Sequence, residues 1–474
     1  MATNSKRLKL DYGSGDESTS LQNFLLWCDS VGLKLNHDKV YVSSKGTVAD
    51  YGMLAKEDIQ EGEVLFTIPR SVLLHPGTSK VSALLEQGKE SLESSSGWVP
   101  LLLALLYEYT SPDSSWAPYL SLWTDFSSLD QPLFWSTEER DTLLRGTGVP
   151  EAVARDLPSI QREYNTVVLP FISKHTDLWN PGTHTLQLYT RLVAFVMAYS
   201  FQEPQEEEEE DDEDDDEEED EEEEKAPNLP MMVPMADMLN HVSKHNANLE
   251  YTPECLKMVC VRPIPRGQEV FNTYGQMANW QLLHMYGFTE PSASNCNDTA
   301  DIPMANLYTA ATQGIQSDLD QKLLEEKRVL ILEMMGEKVA FIFGQQGCLT
   351  DMELHTTLKV LCMSREEFHE FRENEGWEEE EEVVDEDVSL AFSNEGLPGL
   401  KAPWQRLIHT AARLTMDGYE SVEGRTEGVS VDRDRFLIED KVQHARLNSR
   451  QQRALQVRHG QKSILNRVLA LTKS

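Results

Sequence analysis

Long apolar stretches are missing from this chain of 474 residues. The longest, Trp98 to Leu106, is too short to cross a bilayer as a helix. No apolar stretch resembling a signal peptide occupies the first 20 residues, so the sequence predicts an intracellular protein with no membrane partner. Cysteine is scarce, with six residues in all, which excludes a disulfide framework and agrees with a reducing compartment. Positive charge is in deficit: 42 Lys and Arg stand against 81 Asp and Glu, for a net charge of −39. That balance excludes bare duplex nucleic acid as a direct partner, because binding phosphates needs the opposite sign. Metal ligands are also sparse. His241 and His245 stand four apart, but no glutamate follows the first as in zinc peptidases and no third ligand is evident, so no metal is expected. There is no internal repeat and no heptad seam, and the expected state is a monomer.

What is abundant is acid. Residues 206–224 are an unbroken run of Glu and Asp, and a second cluster runs from Glu378 to Asp387. One reading is a solvated, self-repelling loop. The other is a field that draws in basic partners such as lysine- and arginine-rich tails. Near the start, Lys6-Arg7-Leu8-Lys9 has the composition of a short nuclear import signal, within a flexible segment spanning residues 1–20.

Along the chain, apolar spacing predicts a helix from Leu21 to Val31. Short β-rich runs follow at Val40-Tyr41-Val42 and at Val64 to Ile68, punctuated by Gly46, Gly52 and Gly62 and closed by Pro69. Residues 73–203 turn helical. Val99 to Tyr109 is apolar nearly all round and so belongs inside. Another helix opens at Thr137, read as its cap, and a third runs from Tyr189 to Phe201. Strand character returns at Met231 to Val233, Leu256 to Val261 and Glu269 to Asn272, so the two β-rich segments can join only by long-range pairing. From about residue 303 the pattern is helical again. Its last segment, Arg450 to Leu471, has an apolar face and five basic residues: Arg450, Arg453, Arg458, Lys462 and Arg467.

Three stretches carry chemistry. Ala49-Asp50-Tyr51-Gly52-Met53-Leu54-Ala55 has the small, turn-forming residues that let backbone approach a ligand, although such a stretch alone is more often just a turn between strands. Val233-Pro234-Met235-Ala236-Asp237-Met238-Leu239-Asn240-His241 ends in an amide and an imidazole, which together donate and accept hydrogen bonds. Glu269-Val270-Phe271-Asn272-Thr273-Tyr274-Gly275 continues to Tyr286-Gly287-Phe288, and the two Tyr-Gly pairs suggest phenols held at the ends of tight turns.

In this order the three stretches resemble the SET domain: its N-terminal glycine-containing turn, its Asn-His cofactor motif and its catalytic tyrosine. The helical insertion and helical C-terminal region resemble the Rubisco-methyltransferase branch of that family. The resemblance implies an α+β fold. A β-rich SET domain would cover 21–290, with a helical insertion at about 73–203 and an acidic loop at 204–226, followed by an all-helical substrate-binding domain at 291–474. It implies a protein-lysine N-methyltransferase using S-adenosylmethionine. Ala49, Asp50 and Tyr51 would line the cofactor through backbone groups. Asn240 and His241 would hold its ends, and Tyr286 would pack against it. Trp98, Tyr199 and Gln202 would shape the lysine channel, with Tyr199 also reaching the cofactor, and Tyr274 would be the catalytic phenol. The family commonly has glycine where Asp50 stands, and Asp tolerates a left-handed backbone better than most residues. Only Cys296 lies near the end of the domain, so the zinc segment of histone-type relatives is not expected. By the same resemblance the product is monomethyl-lysine, and the substrates are nuclear proteins with lysines in basic segments, such as the RelA subunit of NF-kappa-B or histone tails. The expected location is the nucleus, with a cytoplasmic share left open. Two other functions fit the sequence: a protein-histidine methyltransferase of the same fold, and a non-catalytic binder of basic tails.

Overall fold

The computed structural model describes residues 17–48, 51–123, 126, 129–205, 228–313, 315, 317–336, 340–373, 385–419 and 431–473. Ala49, Asp50, the acidic run 206–224, the basic tetrapeptide at 6–9 and most of the second acidic cluster lie outside the described residues. The strands are β1 (Lys34–Leu35), β2 (Val40–Ser43), β3 (Gly52–Ala55), β4 (Val64–Pro69), β5 (Ser200–Phe201), β6 (Met231–Met232), β7 (Asn240–His241), β8 (Ala247–Tyr251), β9 (Cys255–Cys260), β10 (Glu269–Asn272), β11 (Ala300–Pro303) and β12 (Ala340–Phe343).

Long-range pairing does join the two β-rich segments. One sheet runs β1-β4-β9-β8, and the other runs β2-β3-β10-β7. In both, a strand from before residue 70 lies against one from after residue 254. β4 meets β9 antiparallel, with Thr67 opposite Lys257 and Ile68 opposite Leu256. β3, whose four residues are all buried, sits inside its sheet, which accounts for its lack of polar alternation. The segment Gly52–Ala55 is therefore strand, so the turn expected over 49–55 does not extend through it.

Between β4 and β5 the chain is helical. Helix Val99–Thr110 is inside the core, as its apolar surface requires: Leu102, Leu103, Ala104, Leu105 and Leu106 are inaccessible to solvent. The helix expected to open on Thr137 is capped one residue earlier. Ser136 accepts the Glu139 N–H, and the Glu139 carboxylate returns to the Ser136 N–H, satisfying two donors that the first turn leaves open. The third helix spans Leu186–Tyr199; Ser200 and Phe201 leave it to pair with Met232 and Met231.

Among the described residues the region after β11 is mainly helical, and its strand β12 pairs antiparallel with β11, so the domain expected to be all-helical over 291–474 contains a short ladder. Two apolar cores result, one around the sheets and the insertion, the other around helices Met304–Thr312, Asp351–Cys362 and Ala402–Asp417. The C-terminal helix, Ser449–Leu471, belongs to both. Ala454 and Val457 enter the first core; Ile464, Leu465 and Val468 enter the second. Four of its five basic residues, Arg450, Arg453, Arg458 and Lys462, turn to carboxylates, and Arg467 donates to Gln345 instead. Arg453 is buried 2.5 Å from Asp130, Arg450 bridges Asp130 and Glu139, and buried Lys462 lies 3.0 Å from Asp434. Cations taken out of water need such partners.

Candidate active site

β10 is the junction of the site. On one edge it pairs antiparallel with β3, Glu269 opposite Leu54 and Val270 opposite Met53. On the other it runs parallel to β7, Phe271 opposite Asn240 and Asn272 opposite His241. This register delivers the chain after Asn272 directly beside His241. The Tyr274 N–H donates to His241 Nδ1 at 3.0 Å. An accepting Nδ1 carries no proton, so the proton of the neutral ring is on Nε2. Nε2 lies 3.4 Å from Oε1 of buried Glu290. Glu290 also accepts the N–H and the hydroxyl of Ser243, the latter at 2.9 Å. Burial pushes the Glu290 carboxyl above the usual range, against the pull of the two Ser243 donors.

Three rings stack across the site. His241 and Tyr274 have centroids 4.9 Å apart at 26°, and Tyr274 and Tyr286 repeat the same separation and tilt. Phe288 closes the cluster edge-on to both tyrosines. Each tyrosine precedes a glycine in the left-handed region, Gly275 at φ +103° and Gly287 at φ +75°, which is the tight-turn geometry that the Tyr-Gly pairs suggested. The Tyr274 hydroxyl donates to the Leu239 carbonyl at 2.7 Å. Burial pushes the Tyr286 phenol up to about 12, so it stays neutral across the physiological range.

On the other side of β7, the Asn240 amide donates to the Tyr51 carbonyl at 2.9 Å and to Glu269 Oε1 at 2.7 Å. Glu269 Oε2 accepts the Val48 N–H at 2.8 Å, and burial raises this carboxyl in spite of both donors. Gly52 is dictated here by space. A Cβ at that position would stand 2.5 Å from Glu269 Oε1 and 2.9 Å from Asn240 Nδ2. In the loop leading to Asn240, buried Met235 is held at φ 76°, a strained conformation for a side chain of its size.

Of the residues singled out in the sequence, the fold gathers Tyr51, Asn240, His241, Tyr274 and Tyr286. Tyr199 is buried with its ring 4.3 Å from Trp123 and 5.1 Å from Phe195. Its helix is tied to the Tyr286 segment by Gln131, whose amide donates to the Ala194 and Met285 carbonyls. Trp98 is half-buried at the start of helix Val99–Thr110. Gln202 is exposed after β5, with its amide on the Asn228 carbonyl and its own carbonyl accepting from Tyr251. Sequence reasoning missed Glu269, Glu290 and Phe288 as members of the site. For Glu269 a signal existed, a carboxylate set in the strand Glu269-Val-Phe-Asn just ahead of Tyr274. His241 lies on a strand, so the four-residue spacing to His245 does not align two imidazoles on a helix.

The site gathers aromatic rings that suit cationic or aromatic groups. It also offers carbonyl and carboxylate acceptors in a dry setting.

Comparison with known proteins adds the following. The SET domain family matches residues 50–275, and the Rubisco LSMT substrate-binding family matches residues 318–465. The chain is 63% identical to N-lysine methyltransferase setd6 of Salmo salar, over 100% of both chains. It is 46% identical to N-lysine methyltransferase SETD6 of Homo sapiens, again over 100% of both. A crystal structure of the SET domain of LSMT bound to lysine and AdoHcy has the same fold, with a TM-score of 0.63 at 18% identity, covering 96% of this chain and 91% of that one. A structure of Rubisco LSMT bound to AdoMet gives 0.61 at 17%, with the same coverage.

Proposed function

The chain belongs to the SET-domain N-lysine methyltransferases, and on that premise we propose which residues perform the reaction and on which proteins. The enzyme transfers a methyl group from S-adenosylmethionine to a lysine side chain of a protein. The residues present suit that cofactor: a sulfonium is stabilised by aromatic rings and carbonyl oxygens, and the cluster of His241, Tyr274 and Tyr286 with the Leu239 carbonyl supplies both. When bound, the cofactor supplies an electrophilic methyl on a cationic sulfur.

Tyr274 is the catalytic residue in this reading. Its hydroxyl donates to the Leu239 carbonyl, which fixes the phenol's orientation, and a phenol oxygen can accept an incoming amine N–H. An ordinary phenol, with a pKa near ~10, is a poor base at neutral pH. Tyr274 therefore orients the amine and steadies developing charge, and water takes the proton. A free lysine, with a pKa near ~10.4, is mostly protonated at pH 7, and a dry aromatic channel favours the neutral, attacking form. Tyr286 forms the second face. Asn240 uses its amide hydrogens to hold Tyr51 and Glu269, which leaves its carbonyl oxygen toward the cofactor's polar ends. His241 is locked in one tautomer by Tyr274 and Glu290. Ala49, Asp50 and Tyr51 line the cofactor through backbone groups, and Trp98, Tyr199 and Gln202 shape the lysine entry. The observation that carries the reading is the hydrogen bond from the Tyr274 N–H to His241 Nδ1, beneath a continuous three-ring stack.

The substrates are nuclear proteins with lysines in basic segments, among them the RelA subunit of NF-kappa-B or histone tails, and the enzyme adds one methyl group as a monomer. The net charge of −39 supports basic partners. The test is incubation of the full chain with RelA, histones and labelled cofactor, followed by mass mapping. The expected result is a single methyl on lysine. Tyr274→Phe should lower turnover about 100-fold or more while cofactor affinity by calorimetry holds. Label that persists when the mapped lysine is replaced by arginine, or full turnover by the Phe variant, would refute the reading.

A further inference from the structure

A polar cavity that has none of the stacked rings in its lining lies between the segment that follows Glu290 and the C-terminal helix. Its volume is about 340 Å³, and its lining includes Lys244, Ser292, Asn295, His459, Ser463 and Arg467. No Asp or Glu is among the lining residues, in a chain that has 81 of them. The other cations of the C-terminal helix are neutralised by carboxylates: Arg450 and Arg453 by Asp130, Arg458 and Lys462 by Asp434. Arg467 instead donates to the Gln345 carbonyl at 2.6 Å and to Gln345 Oε1 at 3.2 Å, neutral acceptors that fix its guanidinium without cancelling its charge. Lys244 is exposed in the same lining, and among the described residues no carboxylate lies within ion-pair distance of either cation. His459, also in the lining, is fixed through Nδ1 by the Ser292 hydroxyl at 2.8 Å, and among the described residues its buried Nε2 has no hydrogen-bond partner.

We propose that this cavity is a binding site for a phosphate-class oxyanion. A fixed guanidinium and an ammonium lining one polar hollow that has no carboxylate in its wall match the charge of such a group. The cavity is larger than a bare anion needs, so a phosphoryl group still attached to a serine side chain also fits.

Cys296 is exposed in the same lining and reports on occupancy. The full chain is treated with N-ethylmaleimide, a neutral reagent, and modification is quantified peptide by peptide. Exposed Cys362, which is not part of the lining, serves as the internal reference. Inorganic phosphate should slow Cys296 saturably, with half-protection near about 1 mM, the range of a few charge-assisted contacts in water. Chloride at matched ionic strength should not. A short phosphoserine peptide that protects at lower concentration than inorganic phosphate identifies a side-chain phosphate as the source, and equal protection identifies the free anion. Protection should be lost in the Lys244→Gln, Arg467→Gln double variant and reduced in Lys244→Glu, a change at an exposed side chain that leaves the packing intact. Equal slowing of Cys296 and Cys362, identical effects of phosphate and chloride, or protection that survives both variants would overturn the site.

Discussion

Asp298 offers a quantitative test of how the two cores are joined. Its side chain is completely buried. Oδ1 accepts the Asn279 N–H at 3.0 Å, whereas Oδ2 has no hydrogen-bond partner and occupies the space where a Cβ on Gly460 would project. Burial pushes the carboxyl up to about 7, against backbone donors at Asn279 and Thr299. A carboxyl whose folded pKa exceeds its unfolded value favours folding only while protonated. Its contribution is full below the ordinary value near ~3.9 and is lost as pH rises through about 7. Integrating that linkage from pH 5 to pH 8 gives a loss of about 2.5 kcal/mol in unfolding free energy from this one group. Asp298→Asn keeps the Oδ1 acceptor and removes the titration. Urea unfolding of both proteins at pH 5, 6, 7 and 8 should therefore show the variant gaining on wild type by about 2.5 kcal/mol across the series. Parallel pH profiles would refute the assignment and mean that water reaches Oδ2.

Three further outcomes follow from the same geometry. Glu290→Gln removes the charge facing His241 Nε2 and should weaken cofactor affinity about tenfold by calorimetry, with unchanged affinity ruling out the Glu290–His241–Tyr274 linkage. Gly460→Ala would set a Cβ 1.9 Å from Asp298 Oδ2, so it should cost about 3 kcal/mol in urea unfolding, largely recovered in the Gly460→Ala, Asp298→Ala double variant. Arg453→Met strands Asp130 beside Arg450 alone; it should lower stability by about 2 kcal/mol, and Asp130→Asn in the same chain should return part of that loss.

How far the sequence discloses this molecule depends on the distance over which each interaction acts. The helix at 99–110 and the strand at 269–272 are written in local periodicity, and both occur where that periodicity puts them. Asn240, His241 and Tyr274 are legible because they sit in compact stretches. Their junction is not: β7 is two residues long, its neighbour is parallel, and no alternation marks it. Glu290 meets Ser243 47 residues away, and Glu269 meets Val48 at a separation of 221, so neither partner has a local signature. The arginines of the C-terminal helix look like a cationic surface in sequence. Arg450 and Arg453 turn inward because Asp130, separated from Arg450 by 320 residues, supplies their counter-charge, and Arg458 does so through Asp434. Sequence composition registers charge, whereas burial of that charge depends on what arrives from elsewhere in the chain.

The sharing of helix Ser449–Leu471 between both cores also bears on biosynthesis. While the ribosome is still translating that helix, the N-terminal lobe lacks Ala454 and Val457, and Asp130 faces no arginine. A nascent polypeptide that has completed every β-strand therefore still carries an open apolar seam, and it stays a client for chaperones until the final turns emerge.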